Sequence, residues 1–340
     1  MKHIDELYAM RYLLPFIAAC CLNGLGYAQT AQKKVPKSKL PFVERRVYIN
    51  PKSGFVRGTQ SFPRGVDTVD VACLIIPGSG PVDREGNNGN ILQTDAYKML
   101  SDSLASRGFA VIRYDKRGVA DSREVDFSEY NLVFEDYVKD AARWIKEMKQ
   151  NKRFRKVAVI GHSEGSLIGM LAADSSGADA FISLDGPAKS ADSIILLQLK
   201  NQQLSLYEEA VRITARLKAG NNVDTISPLL QAVYRPQVQN YLRSWFMYRP
   251  ATEIQKLKIP VLIVQGTTDI QVGVNEAREL KAARPDAELL MVNGMNHVLK
   301  TAPTDRGMNL ATYHDRTIPL NADLVPGLVA FLKKLERVKK

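Results

Sequence analysis

Ser163 is the residue whose surroundings most clearly favour chemistry, because it lies between two glycines in Gly161-His162-Ser163-Glu164-Gly165. Mostly β-branched apolar residues precede this stretch, and small or apolar residues at helical spacing follow it, which predicts a strand, a tight turn and a helix. Such a turn strains the backbone of the serine and leaves no room for side chains two residues away on either side. The pattern predicts that the Ser163 hydroxyl projects above the end of a sheet, where it can act as a nucleophile.

Attack on a carbonyl carbon also needs N–H donors for the negative oxygen that forms. The backbone amide of Glu164 follows the serine at the start of the predicted helix, whose dipole adds partial positive charge there. A second donor is expected in the loop at 78–80, which follows an early apolar strand and has a glycine on each side of Ser79. We therefore predict an oxyanion hole made by the amides of Ser79 and Glu164.

A serine hydroxyl is a poor nucleophile without a base, and only three histidines follow residue 28. His162 adjoins the serine and is expected to point away from it. His314 lies in a polar stretch with no predicted strand before it. His297 directly follows the last predicted strand, in a loop that would face the turn at Ser163. We therefore predict that His297 is the base.

The base in turn needs a carboxylate that fixes its tautomer. Asp269 and Asp185 each follow a predicted strand, and both precede His297 in the chain. With either aspartate the chain order is Ser, Asp, His, which is typical of this kind of turn. The residues alone leave both aspartates open.

Strand and helix patterns alternate along most of the chain, after an expected antiparallel hairpin near the start. The alternation predicts an α/β fold with a mostly parallel, twisted sheet and helices on both faces. The segment from Pro187 to about Glu253 has helical patterns only and lies before the last two predicted strands. We expect it to be a helical insertion over the C-terminal ends of the strands, where open α/β sheets bind ligands.

Five motifs resemble those of a bacterial α/β-hydrolase family of serine esterases, often classed with serine-aminopeptidase-like hydrolases. They are GHSEG, GSGPVDREGN, RYDKRG, PVLIVQGTTDIQV and GMNHVLK, and the resemblance runs from about Cys73 to the C-terminus apart from the insertion. It implies the α/β-hydrolase fold, with Ser163 as nucleophile, His297 as base and Asp269 as acid. Asp185 is then expected to cap the start of the insertion.

The resemblance also assigns roles around the loop at 78–87. It implies Ser79 and Glu164 as the amide donors, and the Asp83-Arg84 pair as residues that hold this loop in place. Ala120 stands where the family often has glycine, so the shape of that turn is a point of difference.

In the family's terms the helical insertion is a cap, and three of its aromatic residues are candidates for substrate binding. Trp245, Phe246 and Tyr248 are predicted to line an acyl pocket, with the core of the cap as the alternative role. Glu208 and Glu209 are candidates to hold a substrate amine, with the solvated face of a helix as the alternative.

These residues predict a hydrolase that cleaves small-molecule carboxylic esters through an acyl-serine intermediate, with no metal and no other cofactor. One alternative is the same chemistry on a thioester or on a peptide with a free N-terminus. The other is an inactive binding protein of the same fold, against which the complete set of catalytic residues argues. Ser163 excludes a dehalogenase or epoxide hydrolase that uses an aspartate nucleophile.

The chain of 340 residues has a formal net charge of +11, much of it in basic clusters near its two ends. No basic run is interleaved with aromatic residues, so a nucleic-acid partner is not expected. No run of 18 apolar residues occurs, so a stable membrane span is not expected either. Nothing in the sequence indicates the oligomeric state.

The N-terminal residues have the pattern of a signal peptide, in which an apolar run is followed by small residues at the cleavage site. Acidic residues near Met1 are unusual there, so Met10 is an alternative start. We expect cleavage after Ala28 and export to the periplasm or the medium, with a lipid anchor at Cys20 as the alternative. The predicted domains are a signal peptide at 1–28, a basic linker at 29–40 and a hydrolase domain at 41–340, with the cap at about 187–253.

Overall fold

The computed structural model describes residues 40–51, 54–123, 127–202 and 204–337. The predicted signal peptide, Cys20 and the linker as far as residue 39 lie outside the described residues. Within those ranges, no helix is both long enough and apolar enough to cross a lipid bilayer.

Eight strands form one sheet in the spatial order β1-β2-β4-β3-β5-β6-β7-β8. They are β1 (Phe42–Ile49), β2 (Val56–Pro63), β3 (Val69–Ile76), β4 (Ala110–Tyr114), β5 (Phe154–His162), β6 (Ala180–Leu184), β7 (Val261–Gly266) and β8 (Glu288–Val292). Strands β1 and β2 pair as the expected antiparallel hairpin, and β2 pairs antiparallel with β4. All the other pairings in this sheet are parallel, which confirms the predicted sheet.

Helices cover both faces of the sheet, as predicted. They are α1 (Ala96–Ala105), α2 (Phe134–Gln150), α3 (Glu164–Ser176), α4 (Ala191–Gln202), α5 (Leu204–Lys218), α6 (Gln231–Tyr234), α7 (Gln239–Phe246), α8 (Pro250–Glu253), α9 (Val274–Ala283), α10 (Arg306–Ala311) and α11 (Leu324–Arg337). One apolar core joins the sheet to α2, α3 and α9, and continues into the cap. The other joins the opposite face of the sheet to α1 and α11. Alternating side chains of each inner strand therefore enter the two cores.

The segment between β6 and β7 contains α4 to α8 and no strand among its described residues, which agrees with the predicted helical insertion. Its first residues are held by Glu276 of α9, whose Oε2 accepts the backbone N–H groups of Ala188 and Lys189. The expectation that Asp185 caps the start of the insertion is therefore wrong. Asp185, whose backbone is left-handed with φ +48°, instead accepts the backbone N–H of Gly266 at the end of β7 on Oδ1.

The turn after β4 contains Ala120, where the resemblance indicates glycine. Ala120 has a φ of +42°, in the left-handed region that glycine adopts without strain, and its side chain is exposed. The turn is nevertheless held in this shape, because Asp115 accepts the backbone N–H of Asp121 on Oδ2 at 3.2 Å and the hydroxyl of Ser122 on its carbonyl oxygen at 2.9 Å.

Replacing Ala120 by glycine is expected to stabilise the protein. The substitution removes a left-handed alanine, which is unfavourable by about 1 kcal/mol, and the exposed methyl group loses no packing. Thermal unfolding should therefore give a higher Tm for Ala120→Gly than for the parent. The control is Ala142→Gly in the middle of α2, which should lower the Tm by the usual effect of glycine in a helix. An unchanged or lower Tm for Ala120→Gly would contradict this interpretation of the turn.

Candidate active site

Ser163 lies at the join of β5 and α3, in the strained turn that the sequence predicts. Its φ of 55° and ψ of −122° fall outside the regions that residues with a side chain normally adopt. A Cβ atom on Gly161 would lie 2.2 Å from the carbonyl oxygen of Gly165, and one on Gly165 would lie 2.4 Å from the carbonyl oxygen of Ile76. Both glycines are therefore needed for close backbone approach.

His297 and Asp269 form a buried pair after the last two strands. The Nδ1 atom of His297 lies 2.7 Å from Oδ2 of Asp269, and the side chains are 6% and 0% exposed. Oδ1 of Asp269 accepts the backbone N–H groups of Gln271 and Val272. Because a carboxylate only accepts hydrogen bonds, Nδ1 of a neutral His297 carries the proton and Nε2 is left as an acceptor.

The loop that carries His297 lies directly beside the turn that carries Ser163. The ring centroids of His162 and His297 are 4.8 Å apart, and Nε2 of His162 lies 2.9 Å from the carbonyl oxygen of His297. Nδ1 of His162 lies 2.7 Å from the hydroxyl of Tyr97. Both ring nitrogens of His162 therefore have partners within the protein.

Asp185 is the second buried carboxyl group of this region. Its Oδ1 accepts the backbone N–H of Gly266 at 2.7 Å, and the residue is fully buried. Burial raises the pKa of Asp185 well above its usual range, and the neighbouring Asp269 raises it further. Among the described residues, the carboxylate that contacts Nδ1 of His297 is Asp269 and not Asp185.

Possible ligand atoms of His162, Asp185 and His297 lie within 4.8 Å of one another. Their geometry does not make a prepared metal site, because most of these atoms already have protein partners. His162 uses both nitrogens, and Asp185 uses Oδ1 on Gly266. A metal ion would have to displace those hydrogen bonds.

The loop at 78–80 lies against the serine. A Cβ atom on Gly78 would be only 3.2 Å from Cβ of Ser163. Ser79, the predicted amide donor, is the next residue in the chain after this close contact. The N–H of Gly78 donates to the hydroxyl of Tyr97 at 3.0 Å, and its carbonyl oxygen accepts from Nζ of Lys116 at 2.7 Å. The amide of Glu164 stands at the N-terminus of α3, where an N–H has no acceptor within the helix.

The Asp83-Arg84 pair makes the contacts expected of residues that hold this loop. Oδ1 of Asp83 accepts the backbone N–H groups of Glu85 and Asn87, each at 2.9 Å. Arg84 donates to Asp115 through its backbone N–H at 2.7 Å and through Nη1 at 2.9 Å. Burial raises the pKa of Asp115 to about 6, although the contacts with Arg84 oppose that rise.

The side chain of Glu164 belongs to a buried polar cluster that joins the Ser163 turn to the cap. Its Oε1 accepts from the hydroxyl of Tyr241 on α7 at 2.6 Å and lies 3.5 Å from Nζ of Lys116. Burial lowers the pKa of Lys116, and the charge of Glu164 opposes that change. The same ammonium group also holds Gly78 in the loop at 78–80, which we call the oxyanion loop. The cluster therefore connects the serine turn, the oxyanion loop and the cap.

The three aromatic residues proposed for substrate binding make packing contacts between the cap and the sheet domain. The ring of Trp245 stacks on Phe134 of α2 with centroids 5.9 Å apart. Tyr248 donates its hydroxyl to Glu135 at 2.8 Å, and Phe246 is buried in the apolar core. These contacts fit the alternative of a cap core, and the acyl pocket stays a prediction.

Sequence reasoning missed Tyr97, Lys116 and Tyr241 as members of this region. Lys116 carried a signal, since a charged residue directly after an inner strand lies at the end of the sheet where ligands bind. Tyr97 and Tyr241 lie on helices and look like ordinary amphipathic positions. Only the packing of α1 and α7 brings their hydroxyls to the site.

Comparisons with known proteins found similarity to other proteins in sequence and in fold. A family model described as serine aminopeptidase, S33, matches residues 87–226, a span that includes the Ser163 turn. Esterase EstD of Thermotoga maritima is 27% identical over 269 residues, which cover 76% of this chain and 60% of EstD. The chain thus spans about 60% of the length of that relative.

Two solved structures of similar shape illustrate the likeness in fold. Est1E from Butyrivibrio proteoclasticus with bound ferulic acid is 18% identical with a TM-score of 0.55, over 84% of this chain and 98% of that protein. Esterase Pf2001 of Pyrococcus furiosus is 14% identical with a TM-score of 0.56, over 90% of this chain and 96% of that protein. At these identities the likeness concerns the fold alone.

Proposed function

We propose that the chain is a member of the α/β-hydrolase superfamily and that it hydrolyses small carboxylic esters through an acyl intermediate on Ser163. The observation that carries this proposal is the buried pair of Asp269 and His297 beside the strained turn of the serine. The name of the relative EstD gives the proposal independent support.

In the first half of the reaction, Oγ of Ser163 attacks the ester carbonyl carbon and gives its proton to Nε2 of His297. Asp269 holds the Nδ1–H tautomer and stabilises the imidazolium ion. The amides of Ser79 and Glu164 donate to the oxygen that becomes negative. When the tetrahedral intermediate collapses, the C–O bond to the leaving alcohol breaks, and His297 returns its proton to that alcohol.

In the second half a water molecule attacks the acyl carbon and gives a proton to His297. The bond to Ser163 breaks, the carboxylic acid leaves, and the serine regains its proton from His297. The two halves are the same chemistry with the alcohol and water exchanged, so one oxyanion site serves both.

Peptides with a free N-terminus are a second candidate substrate class, which the description of the matching family model favours. A peptidase of this kind needs a carboxylate that holds the substrate amine. Oε1 of Glu209 already accepts the backbone N–H of Ser227 at 2.8 Å, whereas Glu208 is exposed on α5. The hydrogen bond of Glu209 within the cap favours esters over such peptides as substrates. Thioesters are open to the same chemistry.

Replacing Ser163 by alanine is expected to abolish ester hydrolysis, because the acyl intermediate forms on its hydroxyl. The test compares p-nitrophenyl esters of several acyl lengths, an acyl thioester and aminoacyl naphthylamides on the purified chain. A fluorophosphonate should label the parent and the control Ser166→Ala, a nearby buried serine whose hydroxyl contacts Ser183. Labelling or turnover that survives Ser163→Ala would contradict the proposal.

The two buried aspartates are expected to respond differently to the loss of charge. In Asp269→Asn the amide N–H₂ group would face Nδ1 of His297 and favour the wrong ring tautomer, a change that costs about four orders of magnitude in turnover in serine proteases. Asp185→Asn should keep most activity, because Nδ1 of His297 is paired with Asp269 and an amide oxygen at position 185 can still accept from Gly266.

Both aspartate variants are assayed with one ester after circular dichroism has shown that each is folded. An inactive Asp185→Asn together with an active Asp269→Asn would move the acid to the end of β6.

We also propose that the protein is exported after cleavage behind Ala28, because small residues at 26 and 28 fit a signal peptidase site. Mass spectrometry of the protein from a secreting host should find Gln29 as the mature N-terminus. A lipid-modified Cys20 would indicate a lipoprotein instead, and an uncleaved chain would contradict export.

A further inference from the structure

We infer that Tyr97 and His162 are positioning residues that hold the oxyanion loop and the loop of His297 in register through one chain of hydrogen bonds. The inference rests on the proposed function, because it assigns these two loops to catalysis. The hydrogen bonds of these two residues go to each other and to the backbone of the two loops. The argument depends on the direction in which each hydrogen bond of the chain runs.

The direction of the hydrogen bonds follows from the carbonyl oxygen of His297, which can only accept a hydrogen bond. Nε2 of His162 lies 2.9 Å from it and must therefore carry a proton. Burial lowers the pKa of His162 well below its usual value, and the neighbouring His297 lowers it further, so the ring has a single proton at neutral pH. Nδ1 of His162 is consequently bare and can only accept.

The hydroxyl of Tyr97 lies 2.7 Å from that bare nitrogen and must donate to it. Its oxygen in turn accepts the backbone N–H of Gly78 at 3.0 Å. All three bonds therefore run one way, from Gly78 through Tyr97 and His162 to the carbonyl of His297. Hydrogen bonds that run in one direction polarise one another and reinforce the chain.

The two ends of the chain are the two backbone segments whose positions matter most for the reaction. Gly78 directly precedes Ser79, so a shift at Gly78 moves the predicted amide donor. The carbonyl of His297 belongs to the proposed base itself. Oxyanion donors act at 2.7–3.1 Å, and displacements of about 1 Å can reduce rates by about 100-fold. Loss of the hydrogen-bonded link between these segments is therefore expected to lower turnover.

Packing around the chain leaves little room for another arrangement. Tyr97 and His162 are 4% and 6% exposed, and their rings meet edge to face with centroids 5.5 Å apart. A Cβ atom on Gly78 would lie 3.3 Å from Nδ1 of His162, a tight contact that a larger residue at 78 would have to push aside.

The kinetic test uses Tyr97→Phe, which removes the middle hydroxyl and leaves the ring. We expect kcat for a p-nitrophenyl ester to fall about 10–100-fold with little change in KM, because binding of the ester is unaffected while its attack is misaligned. The matched control is Tyr234→Phe, which deletes a buried hydroxyl 2.8 Å from Thr214 in the cap. It should lower stability by a similar amount without a comparable loss in kcat.

A second pair of variants tests the other half of the chain. His162→Gln keeps one N–H donor and one carbonyl acceptor and should retain more activity than His162→Leu, which has neither. Equal losses in the two variants would overturn the inference, as would a normal kcat in Tyr97→Phe or the same loss in Tyr234→Phe. If the parent itself hydrolyses no ester, it is the proposed function that fails.

A measurement on the parent protein is independent of turnover and of the folding of any variant. Nitrogen-15 NMR of histidine-labelled protein at neutral pH distinguishes the two ring tautomers, and His162→Gln assigns the signal. We expect His162 to be neutral with its proton on Nε2. A proton on Nδ1, or on both nitrogens, would reverse or break the chain and overturn the inference.

Discussion

The close approach of backbone around Ser163 is the constraint on which the rest of the site depends. The turn fits only because Gly161 and Gly165 bring no side chain to contacts that a Cβ atom would close to 2.2 and 2.4 Å. Held on both sides, Ser163 cannot relax from its unfavourable φ and ψ. The same tightness extends to Gly78, so the oxyanion loop is positioned by contact with the serine.

Buried polar groups transmit this arrangement to more distant elements. Lys116, Glu164 and Tyr241 form one cluster, and each of them would be costly to bury without its partners. Because Tyr241 belongs to the cap, a displacement of the cap would remove its hydrogen bond from the buried carboxylate of Glu164 beside the serine. The cap therefore helps to hold the side chain of Glu164 in place beside the serine.

Two carboxyl groups near one histidine are kept distinct by their surroundings. Asp269 accepts two backbone N–H groups and faces Nδ1 of His297, whereas the hydrogen bond found for Asp185 comes from the N–H of Gly266. Burial and the neighbouring Asp269 both raise the pKa of Asp185, since each disfavours a second negative charge there. Our proposal therefore gives the charged role to Asp269.

The sequence by itself determined the strand, turn and helix around Ser163, the parallel sheet and the helical insertion, because these follow from local periodicity and from glycine. It also brought forward His297 and Asp269, since each lies in the loop after one of the last two predicted strands. The residues alone left Asp269 and Asp185 open and the family resemblance favoured Asp269, but only the tertiary structure shows which carboxylate contacts Nδ1 of His297, because both aspartates end a strand. It alone brought in Tyr97, 65 residues from His162, because helix packing leaves no local pattern for such a contact.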